Sequence, residues 1–124
     1  MIEICTFPQA NGMVVSAKGH AGMAPCGRDI VCAGVSSLLF GYLAYLESIS
    51  PSESGDSPHL EWREGDGVLQ VITRDLGGAD LRGWAVVEAG LRLIERSYPE
   101  CLRLLDGLSS GRADGRYHDY GGKK

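Results

Sequence analysis

Gly19-His20-Ala21-Gly22-Met23-Ala24-Pro25-Cys26-Gly27-Arg28-Asp29-Ile30-Val31-Cys32-Ala33-Gly34-Val35-Ser36 is the stretch from which the fold can be read. It divides into a loop and the start of a helix. Gly19, Gly22, Pro25 and Gly27 crowd nine positions, which excludes a regular element and permits positive φ. Asp29 is a good N-cap, and no charged residue follows it until Glu47, so a helix over residues 30–46 is expected. Val31, Val35, Leu38, Leu39, Tyr42 and Leu46 form a stripe at helical spacing, while Ile30, Phe40, Leu43 and Tyr45 occupy the other sides. A helix apolar all round needs cover all round. One sheet covers one side, and the remainder calls for a second helix or another subunit, so a homodimer is expected. The uncharged run is shorter than the roughly 20 residues that span a bilayer and is interrupted by Gly34, Ser36, Ser37 and Gly41, so no membrane association is expected.

Before the loop, Ile2, Ile4 and Thr6 alternate with Glu3, Cys5 and Phe7, the pattern of a strand covered on at least one face. Asn11-Gly12 signals a turn, and the β-branched content of residues 13–18 predicts a partner strand, so that His20 falls just past the end of a hairpin. After the first helix, residues 48–58 read as a polar surface connection. Residues 59–63 and 68–73 flank Glu64-Gly65-Asp66-Gly67 and make a second hairpin, with Leu60, Trp62, Leu69 and Val71 available for one face. Asp80 is the expected N-cap of a second helix, in which Leu81, Trp84, Val87, Leu91, Ile94 and Tyr98 recur at three- and four-residue steps and Glu88 is spaced to pair with Arg92. Pro99 ends it. Residues 101–105 suit either a last edge strand or a helical turn. The expected fold is α+β, a two-layer sandwich in the order ββαββα, with an antiparallel sheet and two helices on one face. Residues 1–108 are read as one domain, and residues 109–124, which lack a core pattern, as a disordered tail.

The 124 residues carry a formal net charge of -4, which argues against a chain that lives on phosphate contacts, and no direct nucleic-acid partner is expected. The opening residues lack the basic start and apolar run of a secretory signal, so a cytoplasmic location is the natural reading. Cys5, Cys26, Cys32 and Cys101 show no paired metal-ligand spacing and are read as free thiols.

With Asp29 as N-cap, Cys32 falls at the third helical position, where free backbone N–H groups and the positive end of the helix dipole favour a thiolate. The thiolate is then a nucleophile, His20 a general acid/base, and the helix-start amides candidate oxyanion donors, which are the parts of a peptidase. Each residue also has a plainer reading. A cysteine between Val31 and Ala33 is commonly core, His20 suits a loop cap, and Ser36 suits a bond to its own helix as well as a place in the site. Asp29 reads equally as cap or as the group that orients His20. Cys26, Cys32 and His20 are close enough in sequence for a small redox or metal protein, but they make an incomplete zinc set, and neither a metal nor a cofactor is expected. There is no P-loop, dinucleotide glycine fingerprint or HExxH motif.

Gly19-His20-Ala21-Gly22 followed by Gly27-Arg28-Asp29-Ile30-Val31-Cys32-Ala33-Gly34-Val35-Ser36 closely resembles the signature of the ribosomal-processing cysteine proteases of the Prp, or YsxB-like, family. The order of elements over about residues 1–105 fits as well. The resemblance implies Cys32 as nucleophile and His20 as its partner, with Asp29 orienting or capping. Gly19, Ala21, Gly22, Gly27 and Ser36 would contact substrate, an extended peptide entering beneath a loop of residues 19–27 whose opening gates binding. It further implies a homodimer packed through its helices and an endopeptidase that trims the N-terminal extension of ribosomal protein L-twenty-seven during large-subunit assembly. Pro25-Cys26 departs from the family pattern, and the tail has no family counterpart. The competing readings are a non-catalytic ribosome-associated interaction module and the small thiol redox or metal protein.

Overall fold

A computed structural model describes residues 1–20, 22, 29–51 and 57–106. The elements run β1 (Ile2–Gln9), β2 (Gly12–Gly19), α1 (Ile30–Ile49), β3 (Leu60–Gly65), β4 (Val68–Arg74), α2 (Ala79–Ser97) and β5 (Leu102–Asp106). They form one five-stranded sheet in the order β3-β4-β2-β1-β5. Four of the strands are antiparallel as expected, but β5 lies parallel to β1, from Ile2 opposite Leu102 to Thr6 opposite Asp106, so the sheet is mixed. The crossover through α2 is what brings β5 back in the same direction as β1.

Alternation sorts the strand residues onto two faces. Ile2, Ile4, Met13, Val15, Ala17, Leu60, Leu69, Val71 and Leu102 are buried beneath both helices, while Trp62 is partly buried at the margin. Val31, Val35, Leu39, Tyr42, Leu43 and Leu46 of α1 fill the layer above them, joined by Trp84 and Leu91 of α2. Leu81, Val87, Ile94 and Tyr98, the rest of the α2 stripe, pack against that core from its edge. The helices approach closely because α2 is small where α1 is large. A Cβ on Gly83 would lie 2.7 Å from the Tyr45 ring, and one on Gly90 would lie 3.1 Å from the Leu38 side chain.

The helix of 20 residues runs three past Leu46, and by length and composition it could cross a membrane. Here its buried stripe belongs to the core of the domain. Ile30, Phe40, Tyr45 and Ile49 remain exposed on the single chain, so the sheet and α2 cover only part of its circumference. The α1–β3 connection is tied by the Trp62 indole N–H, which donates to Glu47 Oε2 at 2.7 Å. On α2, Arg92 bonds Glu88 at 3.2 Å, the expected pair, and also Glu95 at 3.1 Å.

Asp80 does not cap α2. The N-cap is Gly78, with a left-handed φ of 86° and no side-chain cap bond. Asp80 sits one residue inside the helix, 2 % exposed, and its carboxylate accepts from the Thr73 hydroxyl on β4 at 2.6 Å and from the Leu81 amide at 2.9 Å. A contact across the core has displaced the local one.

Candidate active site

The strand register assembles the site at one end of the sheet. Ile2 opposite Gly19, Lys18 opposite Val68 and Gly65 opposite Val68 bring the end of β2, the start of β1 and the β3–β4 turn together. The start of α1 lies over this end. An open cleft of about 180 Å³ results, lined by His20 and Cys32, with Val35, Ser36 and Phe40 on the helix side and Glu64, Gly67 and Val68 on the turn side. That is less than the ~300 Å³ at which small-molecule sites begin, and its lining is largely apolar, so it suits one side chain of a longer chain crossing the surface.

Cys32 is fixed by its helix. Asp29 has the extended backbone of an N-cap, and its Oδ1 accepts from the Cys32 amide at 2.9 Å. The Ala33 amide bonds the Asp29 carbonyl at 3.0 Å, the first regular helical bond. Cys32 itself is a free thiol, partly buried and packed against the core, so its position combines the core role and the helix-start role that its sequence context suggested. The Cys32 amide is thus engaged by the cap rather than turned to the cleft.

His20 is fixed by neighbouring backbone. Gly19 has φ of 105°, and a Cβ there would come within 2.2 Å of the Met1 carbonyl oxygen, so only glycine lets the chain leave β2 in this direction. The Gly19 amide donates to the Gly67 carbonyl at 2.8 Å, and the Met1 ammonium donates to the His20 carbonyl. The His20 ring lies across Gly67, where a Cβ would come within 2.8 Å of Nε2. Nε2 is 3.8 Å from Asp66 Oδ1, with the His20 side chain 66 % exposed.

Of the other expected site residues, Gly19 and Ser36 line the cleft. Gly22 is exposed with φ of 71° and open space around it. Ala21, Gly27 and Cys26 lie outside the described residues, as do the rest of the loop and the tail. Among the described residues no cluster of three or more His, Cys, Asp or Glu side chains could hold a metal. His59, which has no evident partner in the sequence, meets the Arg74 carbonyl through Nδ1 at 3.1 Å. Glu64, Asp66 and Gly67, expected only as a turn, and Val68, expected only as the start of a strand, also stand at the cleft or beside His20. The signal was present in the register, because pairing β2 with β4 places that turn beside His20.

Residues 1–103 match the family model for cysteine protease Prp. The chain is 34 % identical over 94 residues to the ribosomal processing cysteine protease Prp of Mycoplasma pneumoniae, covering 74 % of this chain and 85 % of that protein. Its counterpart in Mycoplasma genitalium is 33 % identical over 85 residues, covering 67 % and 77 %. The structure of the essential ribosomal processing protease Prp from S. aureus, covalently linked to a product peptide, is similar with a TM-score of 0.69 at 25 % identity, covering 86 % of this chain and 99 % of that one. The same protease with a substrate peptide gives 0.66 at the same identity and coverage. The family model over residues 1–103 and the two curated relatives agree, and the chain belongs to the Prp family of ribosomal-processing cysteine proteases.

Proposed function

We propose that this chain is a cysteine endopeptidase that removes the N-terminal extension of ribosomal protein L-twenty-seven in the cytoplasm, acting as a homodimer of one protease domain per chain. The observation that carries this reading is that His20 and Cys32, twelve positions apart in sequence and on different elements, line one cleft. Family membership and the peptide complexes of the S. aureus protease supply the substrate class. The exposed Ile30, Phe40, Tyr45 and Ile49 on α1 support a second subunit on the helical layer.

In this mechanism the peptide crosses the cleft in extended form. Cys32 Sγ attacks the scissile carbonyl carbon as His20 takes the thiol proton. The carbonyl oxygen becomes the oxyanion of a tetrahedral intermediate, which collapses as the C–N bond breaks and His20 returns the proton to the departing amine. Water, deprotonated by His20, then hydrolyses the thioester and restores the thiol. Asp29 contributes by holding the first helical turn that carries Cys32.

The test is cleavage of a peptide matching that N-terminal extension by wild type, Cys32→Ala and His20→Ala, read by mass spectrometry. Wild type should cut at one site, and each variant should lose at least about a thousandfold in kcat. Equal cutting by all three would place the chemistry elsewhere, and no cutting by a folded wild type would overturn the substrate.

A further inference from the structure

The mechanism above asks His20 to hold a proton while its side chain is two thirds exposed just past the end of β2. What meets the ring is the β3–β4 turn. Three contacts converge from it: the Gly67 carbonyl receives the Gly19 amide at 2.8 Å, the absent side chain of Gly67 leaves the space the ring occupies, and Asp66 Oδ1 faces Nε2 at 3.8 Å. Gly67 has φ of 69°, a left-handed conformation that closes the tight hairpin and turns Asp66 toward the rim.

We propose that the β3–β4 turn is the positioning element of the catalytic histidine, with Gly67 as the seat of the His20 ring and Asp66 as the carboxylate that holds Nε2 and leaves Nδ1 for the Cys32 thiol. This rests on the assignment of His20 as the base. When His20 takes the thiol proton it becomes a cation, and Asp66 stabilises that state without taking the proton itself. The pair is open to water in the free protein, and a peptide lying across the cleft excludes part of that water and strengthens it. Glu64 and Lys18 also line the cleft and set its background charge, but it is Asp66 that reaches ion-pair range of the ring.

The experiment uses the full chain and two readouts: kinetics on the extension peptide, and the rate at which iodoacetamide alkylates Cys32, followed on its own proteolytic fragment. Asp66→Asn should lower kcat roughly threefold at low ionic strength with KM unchanged, the size expected of an exposed charge pair. That gap should close near 1 M salt, where charges are screened within about 3 Å, and Asp66→Glu should recover most of the loss. Gly67→Ala should lower both kcat and alkylation by about tenfold, because its methyl group displaces the ring. Asp66 is fully exposed at a turn, so its variants fold, and the Asp66 series decides even where Gly67→Ala is destabilised. Wild-type kcat in Asp66→Asn, or a loss that survives high salt, overturns the proposal. If His20→Ala alkylates Cys32 at the wild-type rate, His20 is not the base and the proposal falls with that reading. If His20 is required and Asp66→Asn is silent, the proposal alone falls.

Discussion

Both helices begin beside an aspartate, yet the second carboxylate also bonds the sheet, since Asp80 accepts from the Leu81 amide of its own helix and from Thr73. At the start of α1 the Asp29 carboxylate turns back onto its own helix and bonds the Cys32 amide. At the start of α2 Asp80 reaches across to Thr73 on the sheet, leaving the helix to begin at Gly78 with no side-chain cap. The first arrangement uses a local contact to order the turn that carries Cys32. The second spends a long-range contact to lock a helix onto a sheet, and the Tyr42 hydroxyl adds to it by donating to the Asp80 carbonyl at 3.0 Å. A helix start can therefore order its own first turn or also lock onto the sheet, and the partners of one carboxylate distinguish them.

The contrast is tested most strongly at Asp80. Replacing it with Ala removes a charge-assisted bond and leaves the Thr73 hydroxyl, 0 % exposed, without its carboxylate partner. Urea unfolding should show a loss of about 3 kcal/mol. Alkylation of Cys32 in the folded protein should stay at the wild-type rate, because the two helix starts share no contact that the substitution breaks. A large fall in alkylation without loss of stability would reverse the roles assigned to the two helix starts.

Local chemistry makes much of this legible in the sequence. The period-two alternation of Ile2, Ile4 and Thr6, the Asn11-Gly12 turn, the Asp29 cap and the Glu88–Arg92 pair all depend on residues near one another in sequence, and the structure contains each of them. That His20 and Cys32 share one cleft was legible because each stands at the end of an element flanking one loop. Asp80 and β5 were harder. An aspartate preceding an apolar stripe looks like a cap unless one knows that Thr73 lies beneath it, and residues 102–106 look like a strand only once Ile2 is seen opposite Leu102. Asp66 was hidden for the same reason: a turn is read for its shape, and its neighbour across the sheet appears only when the register is fixed.

Asp29→Ala is the next largest test. Loss of an N-cap carboxylate should destabilise the protein by about 1 kcal/mol, clearly less than Asp80→Ala, but it should reduce cleavage roughly tenfold because the turn that holds Cys32 frays. Stability and activity would then part company in opposite directions at the two helix starts, which a general loosening of the fold cannot produce.

Asp29→Asn should have the smallest effect and sharpens the comparison furthest. Asparagine caps a helix about as well as aspartate, so unfolding should change by only a few tenths of a kcal/mol. If Asp29 acts by geometry, through the 2.9 Å bond from the Cys32 amide, an amide oxygen accepts that bond as a carboxylate does, and cleavage should stay within about twofold of wild type. If instead its charge acts on the proposed His20–Cys32 pair, Asn would keep the stability and lose the activity. Measuring both on the same preparation separates a cap from a charge, since the cap reading requires the two quantities to move together from Asp29→Asn to Asp29→Ala, and a tenfold fall in cleavage with an unchanged unfolding midpoint would break it.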